Sequence, residues 1–148
     1  MTKAAELAKM GEVLTNSQIG GRRNIVINGS QIVAQRATQV TGIGASGGYQ
    51  TVDRWTISAA NTAGRFTMDQ STDTPSGFAN STKLTCTTAD TSIAAGEILQ
   101  FQTKIEGQDL QSLKKGTSDA EKVTVSFYVK GNASATYTCE LHDRDNTR

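Results

Sequence analysis

The chain has 148 residues and a nearly balanced charge, with 15 Lys and Arg against 14 Asp and Glu. This length suits one domain. The absence of a basic excess argues against a nucleic-acid binder that works by neutralising phosphates. Hydrophobic residues make up 36%, which predicts a small core. No apolar run approaches about 20 residues and the N-terminus lacks a signal-peptide core, so we expect a soluble protein made in a cytoplasm.

The first part of the chain predicts a single helix. Leu7, Met10 and Leu14 recur at helical spacing with Val13 beside them, and good helix formers fill the remaining positions. A lone helix with so narrow an apolar stripe is marginal in water, so it needs a partner surface in its own domain or in another chain. We expect the second, with these four residues buried in an intermolecular interface.

A glycine pair and an arginine pair follow this helix. Gly20-Gly21 interrupts the helical pattern, and Arg22 and Arg23 come directly after it. The arginines fit either a solvated basic joint or a contact with acidic groups of a neighbouring protein. We therefore divide the chain into an attachment or oligomerisation element, residues 1–21, and a β domain, residues 22–148.

From Asn24 onward the hydrophobic period changes to two, which predicts strands. Asn28-Gly29 favours a tight turn, and KVTVSFYVKG (residues 122–131) and TYTCELH (136–142) predict a hairpin. Roughly eight short strands at this spacing are typical of a sandwich. We predict a mainly β chain, an antiparallel β-sandwich of jelly-roll type after one short N-terminal helix, with Trp55 and Phe127 in its core.

The two cysteines, Cys86 and Cys139, lie far apart in strand-like runs. They fit either one disulfide or two buried thiols. We expect free thiols, because the protein is expected to assemble in a cytoplasm, which is a reducing compartment. The sequence has no CxxC motif or Cys/His cluster, so a structural zinc site is not expected.

Catalytic arrangements are poorly represented in this sequence. The single histidine, His142, is placed on the polar face of the last predicted strand, where it lacks the orienting group that a nucleophilic mechanism requires. Acidic pairs such as Asp69 with Asp73 fall in polar stretches where solvated carboxylates are usual. The glycine-rich GIGASGGY precedes a strand and not a helix, unlike a phosphate-binding loop. We expect no enzymatic activity and no cofactor.

Several blocks of sequence together resemble a known family. RRNIVINGSQIVAQRA is followed by YQTVDRW, and later by IEGQ, GTSDA and SFYVK, in this order. The blocks resemble those of tail-fibre and appendage proteins of tailed bacteriophages. The resemblance implies a jelly roll similar to galactose-binding and carbohydrate-binding modules, displayed on a virion.

The chain departs from this family at three points. Gln31 stands where the family usually has Met, and Ala37 where it usually has Gly. Members commonly continue past the second hairpin strand, whereas this chain ends at HDRDNTR. The expectation is that the domain is incomplete at its C-terminus or receives strands from a neighbour.

Sugar binding calls for an exposed aromatic ring with planar polar groups beside it. Tyr49, Tyr128 and Arg36 are the candidate ligand-binding residues. Calcium ligands are a weaker alternative at Asp143 and Asp145, because their spacing suits oxygen coordination but lacks the glycine and terminal glutamate of an EF-hand loop. An unliganded tail is the preferred interpretation, so no metal site is predicted.

The charged residues beside Trp55 predict a structural contact. An arginine next to a buried aromatic commonly pairs with a carboxylate from another strand. We predict such an ion pair from Arg54, Asp53 and Glu106.

We expect a non-enzymatic virion protein, a fibre or surface appendage that supports attachment to host-surface glycans. The alternative is a purely structural decoration or connector that binds only other virion proteins. In both cases the expected partners are copies of itself, with a trimer implied by the resemblance, and other virion proteins. The expected location is the particle surface, after assembly in the host cytoplasm, without membrane insertion or nucleic acid.

Overall fold

A computed structural model describes residues 2–8, 24–44 and 47–143 of the chain. Residues 3–8 are helical, and the backbone N–H groups of Ala5 and Glu6 donate to the carbonyl of Thr2. Leu7 of the predicted interface is exposed on this helix. The other predicted interface residues lie outside the described residues: Met10, Val13, Leu14, Arg22 and Arg23.

The remaining regular structure of the described residues consists of five strands and one short 3-10 helix. The strands are β1 (Gln39–Ile43), β2 (Trp55–Ala60), β3 (Arg65–Ser71), β4 (Ser81–Thr88) and β5 (Ile98–Thr103), and the 3-10 helix spans Gly107–Leu113. All pairings are antiparallel, in a three-stranded sheet of order β1-β3-β4 and a two-stranded sheet of β2 and β5. The predicted mainly β, antiparallel class with a short N-terminal helix is confirmed.

The core forms where side chains of the two sheets meet. Ile43 of β1, Met68 of β3 and Ile57 of β2 are buried together. Phe66 and Phe101 pack against this cluster from the two sheets. Burying a side chain of this size contributes about 1.5–3 kcal/mol. With so few buried apolar residues the core is small, as the composition predicts.

The predicted C-terminal hairpin is wrong. Residues 120–143 contain no strand, although KVTVSFYVKG has the clearest alternation in the sequence. Phe127, predicted to be buried, is 63% exposed. Alternation shows which side chains share a face, but it does not supply the neighbouring strand that the backbone must pair with.

Both cysteines are free, and both are exposed. The predicted burial of both cysteines is therefore wrong. It assumed that each strand-like run has one face packed against another part of the protein. Cys86 lies on β4, whose inner face is only partly covered by the opposite two-stranded sheet, and Cys139 lies in the C-terminal segment that forms no strand.

Candidate ligand-binding cleft

The turn at residues 27–30 comes before the segment that lines the cleft, and the sequence predicts a turn at this position. Asn28 has a positive φ of 54°, a conformation that asparagine tolerates better than most residues. The backbone N–H of Gln31 closes the turn by donating to the carbonyl of Asn28 at 3.1 Å. The Asn-Gly pair thus reverses the chain directly before the segment that carries Arg36.

The side chain of Asn28 joins this turn to a second one, at residues 51–54. Its Oδ1 accepts from the backbone N–H of Val33 at 3.1 Å. Its Nδ2 donates to the carbonyls of Val33 and Asp53, both at 2.9 Å. The indole Nε1 of Trp55 donates to the carbonyl of Asn28 at 3.1 Å. These bonds fix residues 33–36 beside the turn that precedes β2.

Gln31 connects the first turn to a strand of the three-stranded sheet. Its side chain is buried, and its polar atoms are paired. Nε2 donates to the carbonyl of Asn28 at 3.2 Å, and Oε1 accepts from Oγ1 of Thr82 at 2.6 Å. A buried amide is tolerated when its hydrogen bonds are made, so glutamine here links the first turn to β4.

Arg36 contacts both a carboxylate and an aromatic ring in the cleft. Its Nη1 donates to Oδ1 of Asp53 at 2.9 Å, and the guanidinium carbon lies 5.4 Å from the centroid of the Tyr49 ring. The Arg36 side chain is 53% exposed and that of Asp53 is 16% exposed. The arginine is therefore held by a carboxylate and an aromatic ring while much of it faces solvent.

The cleft has a volume of about 380 Å³ and is lined by Gln35, Arg36, Tyr49, Asp53 and Arg54. Arg54 has a φ of 71°, which is unfavourable for a residue with a Cβ, and such strain is found more often at functional sites than elsewhere. Its backbone is fixed by Oγ1 of Thr103, which donates to the Arg54 carbonyl at 3.0 Å. The lining offers an aromatic ring, side-chain donors of which Arg36 is held in place, and one carboxylate acceptor.

The structure brings together only part of the predicted site. Arg36 and Tyr49 line one cleft, whereas Tyr128 does not line it and instead contacts Phe78, with ring centroids 5.6 Å apart. Gln35 was not predicted as a lining residue. Gln35 directly precedes Arg36 in the sequence, but only the folded structure shows that both residues line the cleft.

The predicted ion pair of Arg54 with Glu106 is wrong. Asp53 pairs with Arg36 instead, and Oε2 of Glu106 accepts from Nε2 of Gln108 at 2.8 Å. Within the described part of the chain, Arg54 and Glu106 form no salt bridge with each other. The competing cation, Arg36, is distant from Asp53 in sequence and is brought to it by the Asn28 hydrogen bonds.

Among the described residues, no three His, Cys, Asp or Glu side chains come together in a way that would hold a metal ion. Asp143 is part of the described chain, and Asp145 lies outside it. No described helix has the length and apolar character needed to cross a membrane.

Comparisons of the chain with protein-family models, with curated proteins and with solved structures found no match.

Proposed function

We propose that this chain is a non-enzymatic virion protein of a tailed bacteriophage. In this account it forms part of a fibre or surface appendage and supports attachment to the host surface through a jelly-roll domain of the carbohydrate-binding type. The sequence blocks from Arg23 to SFYVK support the phage assignment by resemblance. The two antiparallel sheets that meet in one core are compatible with a jelly roll.

The cleft around Arg36 is the observation that carries the binding role. Saccharide sites combine an aromatic face with planar groups that form hydrogen bonds to hydroxyls. Here Tyr49 supplies the ring, Gln35 and Arg54 supply donors, and Asp53 supplies an acceptor. Because Asn28 and Asp53 already order the cleft, a ligand would pay little conformational entropy there.

The expected ligand is a glycan of the host surface, and no cofactor takes part. The expected partners are further copies of the chain, as a homotrimer, and other virion proteins. The residues proposed for this attachment interface are Leu7, Met10, Val13, Leu14, Arg22 and Arg23.

A glycan array of host-derived polysaccharides tests the binding role. Wild-type protein should bind, and Arg36→Ala and Tyr49→Ala should each weaken binding by about tenfold or more, equivalent to about 1.4 kcal/mol. Tyr128→Ala is the matched control, since Tyr128 is an exposed tyrosine that does not line the cleft. Loss of binding in Tyr128→Ala alone would place the site outside this cleft.

The structural alternative is a decoration or connector protein that binds only other virion proteins. The exposed apolar side chains of residues 123–129 favour it, because a contiguous exposed apolar face commonly marks a protein contact. Wild-type protein that binds no host-derived glycan, yet joins particles, would support this alternative over the glycan role.

A further inference from the structure

The inner face of β4 is incompletely covered. Cross-strand partners lie on the same face of a sheet, and Leu84 is the partner of Met68 while Cys86 is the partner of Phe66. Met68 is fully buried, but Leu84 is 36% exposed and Cys86 is also exposed. The opposite sheet, with only β2 and β5, therefore covers β3 well and β4 poorly.

A groove of about 370 Å³ lies on this open side, between the end of β4 and the start of β5. Phe66 and Cys86 line it from one sheet, and Ile98 and Leu99 line it from the other. Among the described strands, β5 pairs only with β2, so the backbone groups on its second edge have no strand partner. A strand with a free edge, next to an apolar groove at its start, can accept one further strand by edge-to-edge pairing.

Residues 122–130 have the sequence of such a strand. Val123, Val125, Phe127 and Val129 alternate with polar residues and are all exposed. The segment begins and ends with lysine. The groove carries the opposite charge, since Asp90 and Glu97 are among its lining residues. Both apolar pattern and charge therefore match the groove.

The end of this segment, at Tyr128 and Lys130, is held away from the groove of its own chain. Nζ of Lys130 lies 2.7 Å from Oδ2 of Asp73, and Tyr128 contacts Phe78. The Asp73 carbonyl accepts from Oγ of Ser81, the first residue of β4. These contacts lie before the start of β4, whereas the groove is lined by Cys86 near its end. At about 3.3 Å per residue, the two places are separated by most of the length of the strand.

We propose that residues 122–130 of one copy add as a strand to the free edge of β5 in a second copy. Their apolar face then covers the groove and the inner face of β4, and Lys122 lies near the acidic rim of the groove. Exchange of this kind leaves each sandwich with an additional strand without breaking the Lys130 contacts within a chain. The interface is separate from the Arg36 cleft and goes beyond the proposed glycan binding.

Light scattering of the purified chain tests this interface. Wild-type protein should have the mass of two or more chains at micromolar concentration, and Phe127→Asp should require at least tenfold more protein to reach the same mass. Ser126→Asp is the matched control, because Ser126 lies on the polar face of the same segment and should leave the mass unchanged. Unchanged Trp55 fluorescence in Phe127→Asp would show that the sheets are intact. A monomeric wild type, or a Phe127→Asp variant that keeps the wild-type mass, would overturn the proposal.

Disulfide trapping distinguishes exchange between copies from closure within one chain. In a Cys139→Ser background, Val125→Cys places a thiol on the apolar face, where Cys86 of another copy should capture it. Peptide mapping should identify this disulfide between chains in most of the oxidised protein. The matched variant Thr124→Cys, on the opposite face, should give at least tenfold less. A disulfide within single chains, or none involving Cys86 and position 125, would overturn the proposal.

Discussion

Arg36 donates a hydrogen bond of 2.9 Å to the carboxylate of Asp53, which lies 17 residues further along the chain. The bond crosses from the segment after the first turn to the turn before β2, and it orients the guanidinium that faces the cleft. Because the Arg36 side chain is about half exposed, the bond is expected to orient the side chain more than it stabilises the fold.

Asp53→Asn should therefore weaken glycan binding while changing stability little. The amide keeps the size of the side chain but removes the charge that holds Arg36. We expect the free energy of unfolding to fall by less than about 1 kcal/mol, because the Arg36 side chain of this pair is about half exposed. Denaturant titration measures this change. A much larger loss of stability would show that the pair serves the fold and not the cleft.

Asn28→Ala should destabilise the protein by about 2 kcal/mol, because three side-chain hydrogen bonds are lost, two to the backbone of Val33 and one to the backbone of Asp53. Asn24→Ala is the control. Asn24 makes one local bond, accepting from the backbone N–H of Val26, so its removal should stay within about 0.5 kcal/mol. Thermal unfolding of both variants provides the comparison. Equal effects would contradict the bridging role of Asn28.

A pair of threonines should respond in opposite directions to the same substitution. Oγ1 of Thr51 is buried without a hydrogen-bond partner in the described part of the chain, whereas Oγ1 of Thr82 donates to Gln31. Thr51→Val removes an unpaired polar atom and should stabilise the fold by about 1 kcal/mol, and Thr82→Val should destabilise it by a similar amount. Chemical denaturation distinguishes the signs. Destabilisation in both variants would indicate that the Thr51 hydroxyl is paired.

Asp90 should contribute to stability in a pH-dependent way. The backbone N–H of Ser92, at 3.0 Å, and that of Ala63, at 2.8 Å, hold the pKa of this carboxyl below its usual value of 3.8. A lowered folded-state pKa means that the stabilisation is complete above 3.8 and is lost as the pH falls through the lowered value. Asp90→Asn should thus be less stable than wild type near neutral pH, and this difference should shrink in acid. A difference independent of pH would contradict the assignment.

The sequence predicts local features of this fold better than contacts between distant segments. The period-two pattern correctly indicates a mainly β chain, and Asn28-Gly29 correctly marks a turn. The same pattern at residues 122–131 predicts a paired strand that this single chain does not form, because periodicity describes a face and not its partner.

The candidate site shows the same division. Arg36 and Tyr49 were predicted from residue type, since an arginine and a tyrosine suit a sugar-binding surface. Their alignment with Asp53 depends on the bonds of the Asn28 side chain, which no spacing in the sequence reveals. The same bonds explain why Asp53 meets Arg36 in place of its neighbour Arg54.

The position of the protein on the particle tests the central claim most directly. If the proposed function is correct, gold-labelled antibodies against the chain, applied to purified virions of the proposed parent phage, should bind at tail fibres or other surface appendages. Virions from a strain with the gene deleted are the control for specificity. Label at those appendages is the result that this account predicts. Particles without specific label would contradict the virion assignment, and label confined to the capsid shell would contradict the role in host attachment.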